Sequence, residues 1–167
     1  MELNAKNLEK LVNEQEGEDI KYINTKDSLN VNQLLNALEN ESNASIMKLT
    51  TTEIQKQKND ILQHLQLERK LLKSFNKKLK QYRYCTDLSD LQYGYYIRWI
   101  PLKNPDNIYL TNGATITDIK YINDSLQILC KNFRNRFFQI KFDEVIIFQK
   151  LSNQEKVILN VLNYLEK

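Results

Sequence analysis

The chain has one histidine, two cysteines, three glycines, two prolines and one tryptophan, and each shortage removes a class of function. With so few glycines, neither G-x-G-x-x-G nor G-x-x-x-x-G-K-[ST] occurs, so no glycine-rich loop cradles a nucleotide phosphate. Cys85 and Cys130 lie far apart, no C-x-x-C is present, and His64 is the lone histidine. Two thiols and one imidazole fall short of a metal framework, and no histidine stands near either cysteine to form a nucleophile–base dyad. The cysteines read as reduced, buried thiols of an intracellular protein. No apolar run approaches the roughly 20 residues of a membrane span. The amino terminus MELNAKNLEK has no apolar core of a signal peptide. The expectation is a soluble intracellular protein with no cofactor, no metal, no membrane contact, no small-molecule substrate and no catalytic residue.

What is abundant is Asn, Lys, Ile and Tyr. Apolar residues make up 41% of the chain, enough for a small core but below a typical globular domain. The segment Tyr93–Lys150 reads as runs of Ile, Phe, Tyr and Val divided by turn residues, the signature of strands. Strands are expected over 95–100, 114–121, 126–131, 136–142 and 145–149. Asn112-Gly113 and Asn123-Asp124 mark tight turns because both residue types tolerate positive φ. Five strands joined by hairpin-length turns predict a small β-barrel, SH3-like or OB-like. Ser152 with Glu155 is a capping box that opens a closing helix, with Val157, Ile158, Val161, Leu162 and Leu165 on one face.

The first half is expected to be helical. Residues 1–49 are expected to be a polar, partly disordered segment with short helices: a thin stripe at Leu3, Leu8, Leu11 and Val12, then a short amphipathic helix over 28–41. Thr50 with Glu53 is a second capping box. From 51 to 83 no Gly or Pro interrupts a heptad register with Leu65, Leu72 and Leu79 at a, and Phe75 at d. This predicts one long helical arm over 50–84, either a coiled coil that associates through Leu65, Leu72, Phe75 and Leu79 or a helix packed inside the molecule. The last turns of that arm crowd Lys70, Lys73, Lys77, Lys78, Lys80 and Arg83. Cations are favoured at a helix carboxyl end, and they would equally suit a phosphate-facing ridge. The sequence therefore predicts an α+β chain: a polar segment over 1–49, a helical arm over 50–84, and a barrel with its closing helix over 93–167.

A candidate binding surface interleaves aromatic and basic residues: Tyr93, Tyr95, Tyr96, Arg98 and Trp99 with Lys131, Phe133, Arg134 and Arg136. Stacking platforms for bases with cations beside them have this composition, although alternate aromatics in a strand also build cores. Carboxylates in the strand region, Asp106, Asp118, Asp124, Asp143 and Glu144, sit mostly at turns, where turn chemistry accounts for them. The leading expectation is a non-enzymatic interaction module whose barrel binds a protein or peptide and whose arm associates with itself or with a partner. The alternatives are a nucleic-acid-binding barrel or a structural subunit of an assembly.

The run from Gly94 to Lys167, through YIRWI, LTNG, ILCKN, NRFFQIKFDE and IFQKLSNQEK, resembles uncharacterised proteins of giant DNA viruses that infect protists. The resemblance covers the carboxyl-terminal half and includes no catalytic motif. It implies a viral origin, a location in the host cytoplasm or virion, and a role in the virion or in a replication factory.

Overall fold

A computed structural model describes residues 31–166. The expected stripe at Leu3, Leu8, Leu11 and Val12, and the start of the helix expected over 28–41, fall outside these residues. The described residues divide into two units, 54–151 in one and 31–53 with 152–166 in the other. Four α-helices and six strands form among the described residues: α1 (Val31–Glu39), α2 (Thr51–His64), α3 (Arg69–Lys78), β1 (Tyr82–Cys85), β2 (Tyr96–Pro101), β3 (Ala114–Ile122), β4 (Ser125–Lys131), β5 (Phe137–Lys141), β6 (Val145–Lys150) and α4 (Asn153–Leu165). None of these helices is long and apolar enough to cross a membrane.

The expected five-stranded barrel is replaced by an open, six-stranded antiparallel sheet in the order β1-β6-β2-β3-β4-β5. Closure fails because β1 pairs only with β6 and β5 only with β4 among the described residues. The sheet nevertheless curls. A bulge at Thr117 shifts the register between Ile116 and Asp118, which bends a strand and increases its twist. The bulge also turns Ile116 and Ile119 to the same face, where a strict two-residue alternation would separate them. On that concave face Ile97, Trp99, Ala114, Ile116, Ile128, Cys130 and Ile147 are buried together.

The single arm is likewise corrected to two helices and a strand. Gln66 takes φ 51°, and the Leu65 and Gln66 amides bond back to Leu62 and Gln63, closing α2 with a left-handed residue that is normally glycine. A non-glycine residue there costs about 1–2 kcal/mol. The corner more than offsets this cost: Leu62, Phe75 and Leu79 are buried with Tyr82, Ile100, Ile146 and Phe148 on the sheet's convex face, each worth roughly 1.5–3 kcal/mol. Residues 82–85, expected to end the helix, instead form β1 on the free side of β6. With β1 on one side and β2 on the other, β6 is buried on both faces.

In the other unit α1 packs against α4, with Leu34, Ala37 and Leu38 buried on α1 and Ile158, Val161 and Leu162 on α4. The helix expected to close the barrel thus groups with α1. Buried Asn43 donates to the Ala37 carbonyl at 2.8 Å and to Gln154 Oε1 at 3.1 Å. Both capping boxes form, Thr50 with Glu53 and Ser152 with Glu155.

Candidate nucleic-acid interface

The β4–β5 turn is built by asparagines. Asn132 Oδ1 accepts from the amides of Arg134, at 2.9 Å, and Arg136, at 3.0 Å. Asn135 takes φ 59°, a left-handed position that asparagine tolerates. The Asn132 amide donates to the Arg136 carbonyl and the Asn135 amide to the Asn132 carbonyl, both at 3.0 Å. With the amides of Asn132, Arg134, Asn135 and Arg136 all bonded within the turn, it leaves Phe133, Arg134 and Arg136 exposed. Phe133 is 75% exposed, and the Arg134 guanidinium lies 5.3 Å from its ring centroid. At the neck of the hairpin Lys131 Nζ lies 5.7 Å from the ring of Phe137, itself 61% exposed. Two aromatic rings therefore stand in water with cations parked over their faces, a contact worth about 0.5–1 kcal/mol at exposed sites.

The structure brings together four of the predicted site residues, Lys131, Phe133, Arg134 and Arg136, and separates the others. Trp99 is 8% exposed, and its ring centroid lies 5.4 Å from that of Phe138. It belongs to the core and is no stacking platform. Arg98 is half-buried, its Nε donating to the Thr111 carbonyl at 2.8 Å. Tyr95 is half-buried, and its carbonyl accepts from the Ile116 amide at 2.9 Å. Tyr96, Thr115, Lys131 and Phe137 lie opposite one another across β2, β3, β4 and β5. They form a row on the convex face that leads to the turn. Sequence reasoning passed over Phe137. Adjacent Phe137 and Phe138 in one strand must point to opposite faces, which was the available signal that one ring faces out.

A second missed signal is the partition of charge. Residues 54–151 hold 17 Lys and Arg against 9 Asp and Glu, a formal +8, while the remainder holds 7 against 12, a formal −5. The whole-chain value of +3 hides a strongly basic unit. Such an asymmetry is an electrostatic footprint of polyanion binding.

Of the residues expected to drive association, Phe75 and Leu79 are buried and Leu65 and Leu72 are partly buried, all within their own unit's convex core. The thiols, the imidazole and the strand-region carboxylates of this unit take structural roles. Burial pushes the Cys130 thiol up to about 12, which suppresses the reactive thiolate, and Cys85 is also buried and in no disulfide. His64 Nδ1 lies 2.6 Å from the Asp60 carbonyl oxygen on its own helix. Asp118 accepts from the Ile119 amide within the bulge, and Glu144 pairs with Lys103 at 3.2 Å and Lys141 at 3.8 Å. Among the described residues no three His, Cys, Asp or Glu side chains converge to hold a metal ion. Compared with protein-family models, with curated proteins and with solved structures, the chain matches none of them.

Proposed function

We propose that the unit spanning residues 54–151 is a non-enzymatic nucleic-acid-binding module. It takes single-stranded segments at the β4–β5 turn. The observation that carries the reading is the clustering of exposed Phe133 with Lys131, Arg134 and Arg136 on a unit of formal charge +8. Exposed rings supply sequence-tolerant stacking, worth about 1–3 kcal/mol per base, and the cations contact phosphates. The row from Tyr96 to Phe137 extends the surface along the sheet. The resemblance to giant-virus proteins would place such a module in a virion or a replication factory.

The test is a titration of a labelled 15-nucleotide single strand of mixed sequence at several salt concentrations. Neutralising three phosphates gives a slope of log K against log salt near −2, at about −0.7 per phosphate. Absence of binding at low salt would remove the reading.

A protein or peptide partner is the second reading. It is favoured by the tip of the β3–β4 hairpin, where Tyr121 and Ile122 are exposed, one on each face, beside the positive-φ turn Asn123-Asp124. Changing both to serine would abolish such an interaction while leaving oligonucleotide binding unchanged.

A further inference from the structure

Among the described residues, the curled sheet leaves the outer side of β5 unpaired. The Asn132 amide bonds to the Arg136 carbonyl, and antiparallel pairs alternate between bonded and non-bonded. From that start, Phe138 and Ile140 are the β5 residues bonded to β4. The amides of Phe137, Gln139 and Lys141 and the carbonyls of Phe137 and Gln139 therefore point to the open edge, where β5 has no strand partner among the described residues, while the Lys141 carbonyl caps the turn Phe142–Glu144. A groove of about 380 Å³ runs beside this edge, with Gln139, Ile140 and Lys141 on one bank and Trp99, Pro101 and Val145 on the other. The edge carries none of the usual protection against pairing: no proline, no bulge, and one charge, Lys141, at its end.

We infer that the free edge of β5 pairs antiparallel with β5 of a second copy of this chain, about a two-fold axis through Gln139. The sequence FFQIK is complementary to itself in this register. Gln139 meets Gln139 of the other copy, Phe137 meets Lys141, and Phe138 meets Ile140. The three outward-pointing residues become bonded pairs, so both copies satisfy their free amides and carbonyls together. The convex face then sets an ammonium against an aromatic ring at two places, a contact that Lys131 already makes with Phe137 inside one copy. The concave face sets apolar against apolar, and no like charges stand directly opposite, as stable cross-strand pairing requires. Past the strand ends, the same axis brings the basic turn Arg134–Arg136 of one copy beside the acidic turn Asp143–Glu144 of the other. This charge complementarity selects a second copy over an unrelated strand. An isologous interface of this kind closes after two copies, giving one continuous twelve-stranded sheet. The inference does not depend on nucleic-acid binding.

The test is sedimentation velocity of the full chain from 1 to 200 µM, with Gln139→Pro beside the wild type. Proline is tolerated at an edge whose amide faces outward, so the variant keeps its circular dichroism and sediments as a monomer, while the wild type shifts to dimer with rising concentration. Gln139→Cys gives an independent readout that does not rely on proline. A thiol on the two-fold axis places its two copies about 5.5 Å apart between Cα atoms, within disulfide range. Mild oxidation is therefore expected to cross-link Gln139→Cys at least tenfold faster than Lys103→Cys, whose parent side chain is solvent-exposed. A wild type that stays monomeric at 200 µM, a Gln139→Pro variant that still dimerises, or equal cross-linking rates would each overturn the inference.

Discussion

The buried guanidinium of Arg83 lies 3.3 Å from the carboxylate of Asp90 and donates to the Asp90 carbonyl at 3.0 Å. Asp90 also accepts from the Thr86 and Asp87 amides, while Gln149 links the Asp90 carbonyl to the Gln92 amide. This network ties β1 and the connector after it to β6, which makes the sixth strand possible. Asp90→Ala removes the carboxylate that pairs with this buried guanidinium and is expected to cost about 1–3 kcal/mol by urea denaturation. Arg83→Met removes the buried charge itself and costs less. The double variant is more stable than the sum of the single effects predicts.

Lys58 sets the response to alkaline pH. Its amine is 2% exposed and donates to the Leu79 carbonyl at 2.9 Å, and burial lowers its pKa from 10.5 to about 8. Between those values the unfolded chain holds more protons than the folded one, so stability rises with pH. Cys130 opposes it: its pKa is raised from 9.0 to about 12, so from pH 9 upward the folded state holds the extra proton and stability falls. Thermal melts are expected to rise between pH 8 and 9, by on the order of 1 kcal/mol, and then flatten. Lys58→Met abolishes the rise, and Cys130→Ala extends it towards pH 10.5.

Two glycines with positive φ are predicted to differ sharply. A Cβ on Gly113 would collide with the Ile97 carbonyl oxygen and approach the Tyr96 ring to 2.6 Å, so Gly113→Ala forces β2 and β3 apart. It is expected to cost more than about 3 kcal/mol. Gly94 faces open space, and Gly94→Ala carries only the left-handed backbone cost of about 1–2 kcal/mol. Paired denaturant melts compare the two directly.

Two phenylalanines separate stability from binding. Phe148 is fully buried in the convex core, and Phe148→Ala is expected to lose about 3–5 kcal/mol. Phe133 stands in solvent, so Phe133→Ala changes stability by less than about 0.5 kcal/mol while weakening oligonucleotide binding at least fivefold.

Much of the fold was legible where local chemistry is self-sufficient. The capping boxes at Thr50 and Ser152 act over four residues, and the runs around Ile97, Ile128 and Ile147 can form only strands. What was hidden depended on tertiary packing. The heptad through Leu65, Leu72 and Leu79 fits a continuous helix, but one straight helix cannot place Leu62, Leu71 and Phe75 on a sheet together. The corner at Gln66 follows from that burial and from no local breaker. Tyr82–Cys85 reads as the end of a helix until β6 offers an edge. At the site, the turn Phe133–Arg136 was visible as an aromatic among cations. Trp99 could not be assigned to core or surface until Phe138 was seen beside it. The charge of the basic unit was masked because its boundary is set by packing and not by composition.

The central claim is tested most directly by reversing the charge of the turn. Both Arg134 and Arg136 project from a turn held by Asn132, so Arg134→Glu/Arg136→Glu is expected to leave the melting temperature within about 2 °C of the wild type. Fluorescence anisotropy with a labelled 15-nucleotide single strand is expected to show at least a tenfold loss of affinity. The slope of log K against log salt is expected to fall in magnitude by about 1.4, because two phosphates are no longer neutralised. Unchanged affinity and slope in a folded double variant would contradict the account.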